Sequence, residues 1–129
     1  MPNLEITTND VTGVVIWDPV HTDAGATFGG AATWPAGSVL GRLTATNKYA
    51  RFAPGAADGS EVPSAVLSQP LTAAGAGDIA FRPLIGGQVR AGDLSNNVDG
   101  PLTLAQLDTL RTYGITSLTT VELSQLDNA

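Results

Sequence analysis

Four groups of residues carry side chains whose types and spacing could do chemistry. His21, the chain's single histidine, stands in the run Asp18-Pro19-Val20-His21-Thr22-Asp23, with a carboxylate close on either side. An imidazole oriented by a carboxylate can serve as a general base. No Gly-x-Ser-x-Gly nucleophile elbow accompanies it, so the run reads as a turn whose polar groups bond their own backbone. Residues 75–80, Gly-Ala-Gly-Asp-Ile-Ala, satisfy the loose dinucleotide pattern G-x-G-x-x-A. That pattern works only when a strand feeds the glycines and a helix follows, whereas the residues that follow here are strand-like and include Pro83. Asp93, Ser95, Asn97 and Asp99 fall at every second position and offer oxygen ligands. A calcium hand needs Gly at its sixth position and Glu at its twelfth, where this chain has Val98 and Leu104. Trp17, Phe28 and Trp34 could stack on a sugar, although aromatics beside a small core more often plug it or anchor an interface. No pair or triad reads as an active site, and neither a metal nor a cofactor is called for. A binding or structural module is expected in place of an enzyme.

The chain's bulk properties agree. Its 129 residues suit one domain, long enough to bury roughly two thirds of the surface that its unfolded form exposes. The core material is slight: about a third of the apolar residues are alanine, and seven side chains are aromatic. Apolar burial stabilises by about 25 cal/mol per Å², so such a core gains little per residue, and association with further copies is expected. Net charge is −6, with Lys48 the only lysine and five arginines spread singly. Phosphate binding needs clustered cations, which argues against nucleic acid and against an anionic membrane surface as partners. There is no cysteine, hence neither disulfide nor thiolate chemistry. The first ten residues show no basic run leading into an apolar one, so no secretory signal is expected.

The elements that would position these groups are mostly strands. Residues 1–13 are polar and β-branched, an extended arm that could add to a sheet edge. A first strand is predicted over 13–20. The stretch 17–36, rich in Gly, Ala and Thr from residue 21 on, is predicted to be a long loop. Strands follow at 39–46, where Gly41 signals a bulge or close backbone approach, and at 49–53, with Asn47-Lys48 turning between them. Residues 54–63 are loop, 65–67 a short strand and 72–77 a flexible connector. A hairpin is predicted around Gly86-Gly87, with strands at 78–85 and 88–90. One helix stands out at 104–113: Thr103 and Gln106 form a capping box behind Pro101. Leu104, Leu107 and Leu110 make its apolar stripe, and Gly114 ends it. Residues after Ile115 are a last strand or a second short helix.

The stretch 36–67, "AGSVLGRLTATNKYARFAPGAADGSEVPSAVL", resembles the lambda-type phage head decoration family. The resemblance rests on Gly37, Val39, Leu40, Gly41, Thr44, Lys48, Tyr49, Phe52, Pro54, Ala57, Asp58, Gly59, Val66 and Leu67 in that order. It continues through the Leu-rich helix that ends in Gly114-Ile115 and covers roughly residues 33–118. Asn47 stands where the family pattern has glycine, a residue type that also tolerates the left-handed conformation. The segment 21–36 and the residues after Leu118 lie outside the pattern.

The resemblance implies a small, mainly β subunit of β-clip type with one short helix near the C-terminal side and an extended N-terminal arm. Residues 1–16 would be an arm and first strand contacting the capsid, 33–118 a β-rich decoration domain, and 119–129 a tail. It also implies homotrimers outside an icosahedral shell, with the major capsid protein as partner, no nucleic acid, no membrane and no catalytic residue. Such a protein would be made in the cytoplasm of the host bacterium and end on the exterior of the virion. Leu4, Ile6, Val14 and Ile16 are the expected capsid-binding residues. Two further readings stand beside this one. The first is a carbohydrate-binding or adhesion module using Trp17, Trp34 or Tyr49. The second is a small β-clip enzyme such as a nucleotide hydrolase, for which the sequence shows no metal or phosphate set.

Overall fold

A computed structural model describes residues 14–118. They form a mainly β fold with one short helix near the C-terminal side. The strands are β1 (Val15–His21), β2 (Ala24–Phe28), β3 (Ala32–Trp34), β4 (Val39–Arg42), β5 (Tyr49–Arg51), β6 (Ala65–Val66), β7 (Leu71–Ala73), β8 (Gly77–Phe81), β9 (Leu84–Arg90) and β10 (Ile115–Leu118); the helix is α1 (Leu104–Thr112). Eight strands make one sheet in the order β1-β9-β6-β4-β5-β2-β8, with β10 also paired to β9, while β3 and β7 form a separate ribbon.

Neighbouring residues of a strand face opposite ways, and here each face has its own core. Val39, Val66 and Leu84 lie on one side with Phe52, Val89, Leu94, Leu110 and Ile115. Leu40 and Ala65 belong to the other, with Ala26, Phe28, Trp34, Leu67 and Ala73. Helix α1 closes the first face through Leu107 and Leu110; the β3–β7 ribbon closes the second through Trp34 and Ala73. Burying a side chain of Val, Leu or Phe size is worth about 1.5–3 kcal/mol, so a thin sheet gains by using both faces.

Helix α1 begins as its sequence predicts. The Thr103 hydroxyl accepts from Gln106 N–H and the Gln106 side chain accepts from Thr103 N–H, closing the capping box. Gly114, at φ +96°, follows the last turn. The stripe is narrower than expected: Leu110 is fully buried, but Leu104 is 81% exposed.

Four expectations need correction. Residues 17–36 are not one long loop: β1, the strand expected over 13–20, runs on to His21, and all of β2 and β3 follow within the stretch. The signals there are small residues, which read as loop by propensity. Their pairing comes from far along the chain: Ala24 to Phe28 lie opposite Phe81 to Gly77. Small side chains serve that pairing, because Gly25 leaves room for the aliphatic stem of Lys48. The hairpin around Gly86-Gly87 is also absent, since both glycines lie inside β9. The chain turns instead at Arg82-Pro83, and β8 pairs with β2 while β9 pairs with β1, β6 and β10. The glycines admit neighbours: a β-carbon at Gly86 would stand 3.3 Å from Val20 Cβ, and Gly87 N–H donates to Gly114 O at 3.1 Å. The connector 72–77 begins inside β7 and ends on the first residue of β8. Finally, the strand expected over 39–46 stops at Arg42, because Leu43 N–H already donates to Lys48 O across a turn carried by Asn47 at φ +61°.

Candidate functional site

The four chemical groups come apart when their side chains are placed. His21 ends β1 and its Nε2 lies 3.1 Å from Ser68 Oγ, at the edge of a cavity of about 430 Å³ that Leu67, Phe81 and Arg82 also line. A nucleophile–base pair needs a third group to orient the base. Asp23 does not supply it, since its carboxylate pairs with Arg82 Nε at 3.1 Å. At residues 75–80, Gly77 opens β8 and no helix follows, so no helix N-terminus faces a pyrophosphate. Asp78 is taken up by Lys48 and by Thr27, whose hydroxyl donates to it at 2.9 Å. Those bonds, the lysine's first, hold the Asp78 carboxyl below the ordinary aspartate range.

The alternating oxygens at 93–99 are structural. Arg51 reaches over from β5, donating to Ser95 Oγ at 3.1 Å and pairing with Asp99 at 3.0 Å. Asn97 N–H donates to Phe52 O at 2.9 Å, and Asn96 Oδ1 accepts from both Val98 and Gly100 N–H. Among the described residues no group of three or more His, Asp or Glu side chains is arranged to hold a metal ion. The aromatic trio divides as well. Phe28 and Trp34 stack with centroids 4.0 Å apart and are buried, whereas Trp17 is 65% exposed. Tyr49 sets its edge against Phe81 at 6.2 Å. A sugar platform of Trp17 and Trp34 together is therefore not present.

Surface chemistry gathers instead along β1. Among the described residues this strand pairs only with β9 and stands at the end of the sheet order. The register against β9 shifts three times between Val15 and His21, and Pro19 interrupts the row of donors. Bulges and proline are the means by which edge strands avoid indiscriminate pairing. Trp17 and Val20 stand exposed on it. Val14 and Val15 are partly buried against the helix-side core, and Ile16 is half-buried. Leu4 and Ile6 lie outside the described residues.

Sequence reasoning missed two features. One is the Arg51 brace, which joins residues 44 and 48 positions apart and leaves no local signal. The other is the exposure of Val98 and Leu104, at 76% and 81%; a leucine at the first turn of a helix reads as part of the stripe until the helix is docked.

The residues behind the resemblance at 37–67 hold the backbone. A β-carbon on Gly37, at φ +90°, would fall 1.9 Å from Asp93 O; on Gly41, 2.6 Å from Ser60 Cα; on Gly59, at φ +108°, 2.3 Å from Arg42 O. Asp58 accepts from Ser60 Oγ at 2.6 Å and from Ser60 N–H at 3.0 Å, bonds that lower its pKa. Phe52 and Val66 are core.

Two comparisons bear on this arrangement. The family model of bacteriophage lambda head decoration protein D matches residues 4–115. No curated protein matches the chain.

Proposed function

The chain belongs to the bacteriophage lambda head decoration protein D family, and from that premise we propose that it cements the outside of the expanded icosahedral head. It binds as homotrimers at three-fold and quasi-three-fold positions and stabilises the shell against the pressure of the packaged genome. The observation that carries this reading is the family match, which begins at residue 4 and so takes in most of the arm together with the β domain.

The mechanism is selective binding with no reaction. A ligand that binds the expanded lattice better than any other state stabilises that lattice by its differential affinity. Residues 1–16 supply the contact, with Leu4, Ile6, Val14 and Ile16 as its apolar members. An arm rich in β-branched residues adds a strand to an edge of the major capsid protein, where main-chain hydrogen bonds give affinity and alternate side chains give register. Three arms per trimer make attachment multivalent, so a modest affinity per arm is enough. The acidic exterior avoids the genome. No cofactor, nucleic acid or membrane takes part, and the protein is made in the host cytoplasm before it reaches the virion exterior.

The test is rate-zonal sedimentation of purified protein mixed with expanded shells that lack it. Co-migration with shells and absence from unexpanded ones is the expected result, with density then imaged at the three-fold positions. Protein that stays at the top of the gradient beside intact expanded shells overturns the assignment.

A further inference from the structure

A cavity of about 460 Å³ opens where the central strands meet the end of helix α1, and it shares no lining residue with the one beside His21. Arg42, Thr44, Tyr49, Glu61, Ser64 and Tyr113 turn polar groups or aromatic rings toward it. Arg42 ends β4, and Tyr49 opens β5 directly opposite it. Glu61 and Ser64 come from the loop that leads into β6, while Tyr113 caps the last turn of α1. Cavities of this size with a mixed lining are where proteins hold small ligands.

Its charged groups stand apart. Arg42 and Glu61 form no ion pair with each other, and among the described residues the Arg42 guanidinium meets no carboxylate. Glu61 is held by Gly59 N–H, which donates to Oε1 at 2.8 Å; Oε2 keeps its capacity to accept. A donor and an acceptor thus face one space without satisfying each other. An anion there would be repelled by Glu61 and a cation by Arg42, so the site suits a neutral ligand that both donates and accepts. Ser64 Oγ is buried with no hydrogen-bond partner among the described residues, which is uncommon in a folded protein and marks a place for a further oxygen. Two phenol rings supply the apolar side. Tyr49 is set edge-on against Phe81 with centroids 6.2 Å apart, and Tyr113 is 51% exposed.

We infer that this cavity binds one neutral hexose unit of a glycan. Each hydroxyl of a pyranose can donate and accept, so a neighbouring pair bridges Arg42, which donates, and Glu61, which accepts. Hydrogen bonds to charged partners are about twice as strong as neutral ones, and the C–H face of the ring lies against the tyrosines. Of the aromatics that the sequence offered for sugar binding, Tyr49 alone is part of this site. A single ring binds weakly, but a shell that carries many copies attaches firmly to a sugar-coated surface. That consequence, unlike the site itself, rests on the decoration reading.

The isotope-labelled full chain is titrated with the methyl glycosides of glucose, galactose and mannose, with methyl glucuronide and a blocked neutral dipeptide as controls. The amide signals of Gly59, Ser64 and Tyr113 are expected to move and saturate with at least one neutral glycoside. Arg42→Ala and Tyr113→Ala should each weaken binding about tenfold with the thermal midpoint unchanged. Glu61→Gln, which keeps Oε1 for Gly59, should weaken the glycoside several-fold and admit the glucuronide. No saturable shift with any of the three glycosides overturns the inference. So does tighter binding of the glucuronide by the unaltered chain, an equal response to the dipeptide, or undiminished binding in Arg42→Ala. Expanded shells carrying the protein are then passed over beads that bear the preferred glycoside, and retention is expected. Decorated shells that pass through overturn the attachment role and leave the decoration reading standing. A protein that binds the glycoside but never joins shells overturns the decoration reading and leaves the sugar site standing.

Discussion

The segment from Gly37 to Leu67 and the β1 strand meet the same sheet in opposite ways. The first lies in the middle of the sheet order, with β4 between β6 and β5. Three of its glycines sit where a β-carbon would strike backbone. The second lies at an edge, slips register three times, and leaves Trp17 and Val20 in the open. The middle segment carries most of the residues by which the chain resembles its family, and the charged ones among them, Lys48 and Asp58, are taken up by Asp78 and by Ser60. A sequence pattern can therefore mark the residues that fold a protein more strongly than those that meet its partner. Backbone clearances admit one residue type, whereas an edge contact tolerates many.

The largest effects should fall on the middle segment. Gly37→Val forces a β-branched side chain into a left-handed conformation against Asp93 O, and overpacking of this kind costs about 3 kcal/mol or more. Thermal unfolding is expected to drop by on the order of 10 °C; an unchanged midpoint would erase the contrast with β1. Leu110→Ala, at the centre of the helix-side core, is expected to cost about 2–5 kcal/mol in denaturant unfolding. The exposed Leu104→Ala in the same helix should stay within about 0.5 kcal/mol.

The edge should respond in binding and not in stability. Deleting residues 1–12 is expected to abolish shell binding with the fold and oligomeric state unchanged, and an unfolded product would put the arm inside the fold. Trp17→Ser is expected to leave unfolding within about 0.5 kcal/mol while lowering shell affinity several-fold. Equal affinity would confine the contact to the arm.

Smaller effects sharpen the comparison at its margins. Thr103→Ala removes the helix cap and should cost about 1 kcal/mol, read by chemical denaturation. Asp58 and Asp78 are held below their ordinary pKa by Ser60 and by Lys48. Their contribution is present above the unfolded aspartate value of about 4 and is lost as pH falls through the lower folded values. Stability should thus fall a little below pH 4, and less so in Asp58→Asn, which has no charge to lose there. An identical acid profile for the two would separate this turn from the effect.

How much was legible varied with the range of the interaction. The capping box at Thr103 and Gln106 spans one turn, and the turn at Asn47 is likewise local, so both were readable from the residues. Gly41 announced a close approach without naming Ser60 as its neighbour. β2 was missed because Ala-Gly-Ala-Thr-Phe has weak strand propensity and its partner, β8, lies 49 or more residues away. The hairpin expected at Gly86-Gly87 was wrong for the same reason: those glycines admit Val20 and Gly114, neighbours that only the assembled sheet supplies. As for the candidate site, the polar, β-branched character of the arm was visible, but the exposure of Trp17 and the burial of Trp34 were not.

By itself, then, the amino-acid sequence determined a mainly β, acidic, cysteine-free chain with one capped helix and a backbone pattern shared with its family. Those properties depend on composition and on contacts a few residues apart. The tertiary structure alone decided that Phe28 stacks on Trp34, that Arg51 spans to Asp99, and that Val14 and Leu118 flank Arg90. Each is a pairing between distant positions, and local preferences of about 1 kcal/mol per residue do not choose among the partners a long chain offers.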